Sequence, residues 1–240
     1  MKKHLIILIV LIGFVSCNKT SPEGVWITIK DKQMTSKNGY TKGITSLVVD
    51  FDKLETQFLY THQDSTLKFT INSKSNQILP DGDSIYINYK LYNDDSLEVY
   101  IERQNLTKVL VPLNLNSELD LSKEQIIQIL TKQQSYSIND TLSIEFLNNY
   151  FENDYFTKGI KDKRILTSHF PKREFSGYWY IGQKNKNYFL VIDPEPYTTK
   201  EYIFQIININ EKKIVLKDIA TEGLLIKIDE LKPVYNNGYN

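Results

Sequence analysis

The chain has 240 residues, with 29 basic and 29 acidic side chains, 41% apolar residues and a single cysteine. Zero formal net charge gives no electrostatic reason to bind nucleic acid or an acidic polymer. The apolar content is enough for a core and excludes a disordered chain, and one cysteine excludes an intramolecular disulfide framework.

The N-terminus comes first. Met1-Lys2-Lys3-His4 is short and basic, and residues 5–15 are apolar apart from Gly13. A charged start, an apolar run of about 7–15 residues and a small residue before a cut site describe a secretory signal, whereas a spanning helix needs roughly 20 apolar residues. Phe14-Val15-Ser16-Cys17 resembles the lipobox of bacterial lipoproteins. The resemblance implies that Cys17 carries a diacylglyceryl group, that the signal is cut before it, and that the new amine is acylated. Residues 1–16 are then a lipoprotein signal peptide and 17–23 a short tether to the membrane. Two or more acyl chains anchor a protein stably where one binds only marginally. With Cys17 used, the body has no thiol left for a disulfide or a metal.

Residues 24–116 read as the first β domain. Short apolar runs alternate with turn residues, and strands are expected at 25–30, 46–51, 56–61, 67–72, 84–92, 97–103 and 108–113. The clearest is "SIYINYKLY", where Ile85, Ile87, Tyr89 and Leu91 share a face. Pro80-Asp81-Gly82-Asp83 and Asn93-Asp94-Asp95 are the strongest turns. Regular strands with tight connections predict an antiparallel meander closing into a barrel.

The alternation stops at Ser117, and residues 117–176 read as a helix followed by an irregular connector. Ser122 and Gln125 form a capping box, Leu121 can staple onto Ile126, and the helix is expected to reach about residue 132 with Ile126, Ile127 and Leu130 buried. One strand is expected at 141–147, and the remainder to residue 175 has no clear period. Residues 177–233 form a second, smaller antiparallel meander, with strands at 178–183, 188–192, 202–208, 213–217 and 224–228, and residues 234–240 a frayed tail. Gly24-Val25-Trp26 and Gly177-Tyr178-Trp179 open the two meanders with a similar triplet, and both tryptophans are expected to be buried.

"GVW", "SLVVDF" and "YINYKLYNDDSLEVYI" together resemble the lipocalin-like domains of Bacteroidota lipoproteins. The resemblance implies a small up-and-down barrel; with the helix and second meander read from the residues, the chain is expected to be mainly β, an up-and-down barrel with one short helix and a second, smaller antiparallel sheet. The resemblance brings no catalytic residues.

No sequence pattern of a catalytic, metal or cofactor site is present, and the chain is expected to be non-enzymatic and free of cofactors. Asp50, Asp52 and Glu55 are grouped, but in a spacing that reads as a solvated turn. Tyr60 and His62 share strand parity with Phe58, and with Tyr89 they are the candidate contacts to a ligand. Lys161, Lys163 and Arg164 lie in a basic stretch that is either a surface for lipid headgroups or an acidic partner, or a solvated connector. The expected function is that of a lipid-anchored protein of the bacterial cell envelope, at the outer membrane, that binds a small apolar ligand or an envelope protein. The alternatives are a filled barrel acting through its surface and, after it, an enzyme of unrecognised type. A cavity of at least about 300 Å³, lined by aromatics, favours the first.

Overall fold

The computed structural model describes residues 21–33, 46–59, 66–92, 95–132, 135–139, 142–146, 164–170, 173–193, 202–220 and 228–234. The chain is mainly β. Its first eight strands are β1 (Val25–Gln33), β2 (Leu47–Asp50), β3 (Glu55–Phe58), β4 (Thr66–Asn72), β5 (Gln77–Pro80), β6 (Ile87–Tyr92), β7 (Ser96–Ile101) and β8 (Leu106–Pro112). Each pairs antiparallel with the next, and β8 returns to β1, so the sheet is a closed up-and-down barrel. Closure removes the unpaired edges that an open sheet would offer to other chains.

The period-two pattern sets the inside of this barrel. On β6, Tyr89 is buried while Asn88 and Lys90 are exposed, as the alternation of "SIYINYKLY" requires. Trp26, Phe51, Phe69, Tyr89 and Leu97 fill the barrel together with smaller side chains. β5 has no counterpart among the expected strands. It is four residues long and ends on Pro80, which reads as part of the following turn, yet it pairs with both β4 and β6. The turn itself is as expected: Gly82 has φ +79°, a conformation only glycine adopts freely. Asp83 Oδ1 accepts from the Ser84 and Ile85 amides at 2.7 and 3.1 Å.

The other eight strands are β9 (Tyr136–Asn139), β10 (Leu142–Phe146), β11 (Arg164–Phe170), β12 (Arg173–Lys184), β13 (Asn187–Asp193), β14 (Tyr202–Asn210), β15 (Lys213–Ala220) and β16 (Glu230–Pro233). They also pair in chain order, and β16 closes on β9. The second sheet is therefore a barrel in its own right. The stretch from 134 to 175, expected to be largely irregular, supplies β9, β10, β11 and the start of β12. Arg164, read as a connector residue, opens β11 and pairs across to Tyr178. At the other end, the last strand is Glu230–Pro233. Residues 224–227 of the expected strand at 224–228 lie outside the described residues. Val234, placed in the tail, donates its amide to Ser135 O at 2.9 Å. The Gly-x-Trp echo also fails as a register mark: Trp26 is on the first strand of one barrel, Trp179 on the fourth strand of the other.

Helix α1 (Lys123–Lys132) follows the first barrel. Its capping box forms as the sequence dictates, Ser122 Oγ accepting from the Gln125 amide at 3.2 Å and Gln125 Oε1 from the Ser122 amide at 2.7 Å. Ile126 and Leu130 are fully buried and Ile127 half-buried, the face expected at helical spacing. That face packs into the core of the second barrel with Trp179, Ile181, Phe146 and Ile206. Tyr136 and Tyr188 tie the helix down by donating to Ile129 O and Leu121 O, each at 2.6 Å.

The barrels pack against each other through a third apolar cluster. Ile27 and Val48 of the first meet Phe189, Val191 and Ile203 of the second, all five essentially inaccessible to solvent. The link 113–117 is held by buried amides. Gln205 Nε2 donates to Asn114 O at 2.9 Å, Asn187 Nδ2 to Leu115 O at 2.8 Å, and the Ser117 amide to Asn187 Oδ1 at 3.0 Å.

Candidate functional site

The first barrel is filled at one end and hollow at the other. Val25, Asp50, Asn72 and Pro112 mark the end where Trp26, Phe51 and Leu97 pack, Phe51 meeting Phe69 edge-on at 5.7 Å. Toward the opposite end lies a cavity of about 170 Å³. Val49, Phe69, Ile78 and Leu110 form its buried floor. Its rim is Phe58, Ile87 and Ile101, half-buried, and Leu67, which is 59% exposed.

Lys108 lines this wall and is paired with Asp31. Lys108 faces inward on β8, in phase with Leu110, and its Nζ donates to both oxygens of Asp31 at 2.9 Å. Both side chains are nearly inaccessible, at 7% and 5%. Strict alternation from Trp26 and Thr28 puts Lys30 and Lys32 inside. A β-bulge between Thr28 and Lys30 shifts the register, so that Asp31 opposes Lys108 instead. An inserted residue flips every later side chain to the other face. Burial pushes the Asp31 carboxyl up from its ordinary range, against the opposing pull of Lys108. At the rim, Lys68 Nζ donates to Glu55 Oε2 at 2.9 Å.

Of the expected ligand contacts, Tyr60 and His62 lie outside the described residues. Tyr89 is buried in the packed interior and does not line the cavity. Its hydroxyl is hydrogen-bonded to Ser21, and burial raises the phenol above its ordinary range. Ser21 and the buried Pro22 thus belong to the barrel body, although the sequence reads 17–23 as tether. The aromatics of the cavity are Phe58 and Phe69. Lys161 and Lys163 lie outside the described residues, as does Cys17.

The group Asp50, Asp52 and Glu55 is not a solvated turn throughout. Asp50 and Glu55 are the last pair of the β2–β3 hairpin and point the same way. Lys184 of β12 reaches between them, 2.9 Å from Glu55 Oε1 and 3.3 Å from Asp50 Oδ2, with its side chain 4% exposed. The two cations, Lys68 first and Lys184 second, hold Glu55 down at a pKa of about 2. Beside this cluster Gln57 Nε2 donates to Gln183 O at 2.9 Å, and Tyr180 OH to Ser46 Oγ at 2.8 Å. A Cβ on Gly182 would lie 2.6 Å from Leu59 Cβ, so glycine sets the closest approach of the barrels.

Among the described residues, no group of three or more His, Cys, Asp or Glu side chains is placed to hold a metal ion. No helix among them is long and apolar enough to cross a membrane. No family model, curated protein or solved structure matches the chain.

Proposed function

We propose that the chain is a non-enzymatic, lipid-anchored protein of a bacterial cell envelope whose first barrel takes up a small apolar molecule. The carrying observation is the apolar cavity of about 170 Å³ inside β1–β8. It falls short of the aromatic-lined cavity of about 300 Å³ expected of a drug-sized ligand site, and is close to the ~150 Å³ at which an apolar cavity accepts benzene. Its scale therefore favours a ligand of a few carbons, or the narrow end of a longer one. The second barrel, with its interior filled by Trp179, Phe204 and the apolar face of α1, acts as support. That filled interior also favours the alternative reading, in which the protein works through its surface.

The geometry supports an orientation as well. Ser21 is held at the packed end of the first barrel, and the cavity opens at the other. Ser21 lies four residues after Cys17, a reach of at most about 14 Å. A lipid on Cys17 would keep the packed end at the bilayer and turn the mouth toward the aqueous compartment. The lipobox-like Phe14–Cys17 run and the closed up-and-down barrel both support kinship with lipocalin-like lipoproteins.

Two measurements test this reading. The parent is expected to incorporate labelled palmitate in cells and Cys17→Ser to lose the label; equal labelling would remove the anchor from the proposal. Calorimetric titration with toluene is expected to saturate at one site per chain. A response that never saturates would remove the ligand.

A further inference from the structure

We infer that the ligand of the first barrel is electrically neutral: a hydrocarbon, alcohol or ester of short chain, and neither a carboxylate nor an amine. The inference rests on the reading of the first barrel as a ligand site. It comes from the charges that face the cavity. They are Lys108 and Lys68, and each is committed to an opposite charge. Lys108 bonds both oxygens of Asp31, and Lys68 bonds Glu55. The rest of the lining is apolar except for Thr56, whose hydroxyl can meet one uncharged polar group.

The sum of charge in the wall, with these partners, is therefore zero. A carboxylate entering the cavity would share Lys108 with Asp31 and leave an excess negative charge in an apolar enclosure. An amine would share Asp31 with Lys108 and leave an excess positive one. An unpaired buried charge is among the most costly features a protein interior can hold. The pair thus excludes ions while leaving neutral molecules unaffected. It also gives a reason for the bulge in β1, which replaces an inward lysine by Asp31 and so balances Lys108.

Three ligands with one tail separate the possibilities: hexan-1-ol, hexanoate and hexylammonium, titrated at pH 7 into the purified whole chain and followed by methyl NMR. Hexanol is expected to bind at least about tenfold more tightly than either ion. Hexanoate or hexylammonium binding as well as hexanol would overturn the inference while leaving the ligand site intact. Saturation by none of the three would overturn both. Asp31→Asn leaves Lys108 beside a neutral partner, and is expected to reverse the order in favour of hexanoate. An unchanged order in a folded Asp31→Asn chain would also overturn the inference. If that variant does not fold, the parent series decides alone.

Discussion

Lys184→Ala is expected to lower the free energy of unfolding by about 3–5 kcal/mol, the cost of removing one partner from a buried ion cluster. The Lys184 side chain is 4% exposed and bridges Asp50 and Glu55. Those two carboxylates end a hairpin directly opposite each other, an arrangement that repels without a cation between them. Some compensation stays in the variant, because Lys68 still bonds Glu55 and the Lys53 amide still donates to Asp50 Oδ1 at 3.0 Å. The effect should therefore lie toward the lower end of that range. Denaturant unfolding measures it. Neutralising the set, as Lys184→Met with Asp50→Asn and Glu55→Gln, should recover more than half of the loss, because no lone charge remains buried.

The same cluster gives the pH dependence a sign. The folded-state pKa of Glu55 is about 2, below its ordinary 4.5. A depressed carboxyl contributes stability that is present above about pH 4.5 and disappears as the pH falls toward 2. The parent should lose stability across that window, and Lys184→Ala should lose less, since one of the two cations responsible is gone. Equal slopes would mean that Lys184 does not hold Glu55 down.

Trp179→Ala should cost about 3–5 kcal/mol, the usual price of emptying a large aromatic site. Trp179 is 1% exposed and meets Phe146 edge-on at 5.0 Å, which in turn meets Tyr136 at 5.7 Å. These rings, with Ile126 and Leu130 of α1, close the interior of the second barrel. The walls are hydrogen-bonded strands that cannot collapse inward to fill the space, so most of the lost volume should persist as a dry cavity. Thermal unfolding measures the loss. A change below about 1 kcal/mol would mean that the second barrel tolerates voids and is not packed as described.

All strands of the first barrel except β5 are legible from alternation, and so is the capping box at Ser122–Gln125, because both are local. What escaped was set by closure. β11 mixes Arg164, Ser168 and His169 with Ile165, Leu166 and Phe170 on both of its faces, so it shows no clean alternation. Its place comes from the long β12 beside it, which offers backbone partners along its length. β5, of which the sequence reading covers only Pro80 as part of a turn, is set in the same way by its pairing with β4 and β6. The cavity was legible only in outline. The sequence predicts a barrel and an inward Tyr89 on β6, and both are present. Yet Tyr89 goes to packing and to Ser21, while the cavity wall carries Thr56, Lys68 and Lys108, the last paired with Asp31. The bulge that turns Asp31 inward leaves no mark in the "VWITIKDKQ" run. It shows only once β1 is paired with β8. Likewise, nothing near Asp50 or Glu55 in the chain announces Lys184, more than a hundred residues away.

The contrast between a hollow and a filled barrel can be measured in one experiment. Xenon enters dry apolar cavities of this size. Under rising xenon pressure, methyl NMR of the parent should show saturable shifts at Val49, Ile78, Ile87, Val99 and Leu110, which line the first cavity. Ile181, Leu190, Ile206 and Leu216, in the core of the second barrel, should not respond. Saturable shifts in both sets, or in neither, would contradict a protein built from one hollow barrel and one filled one.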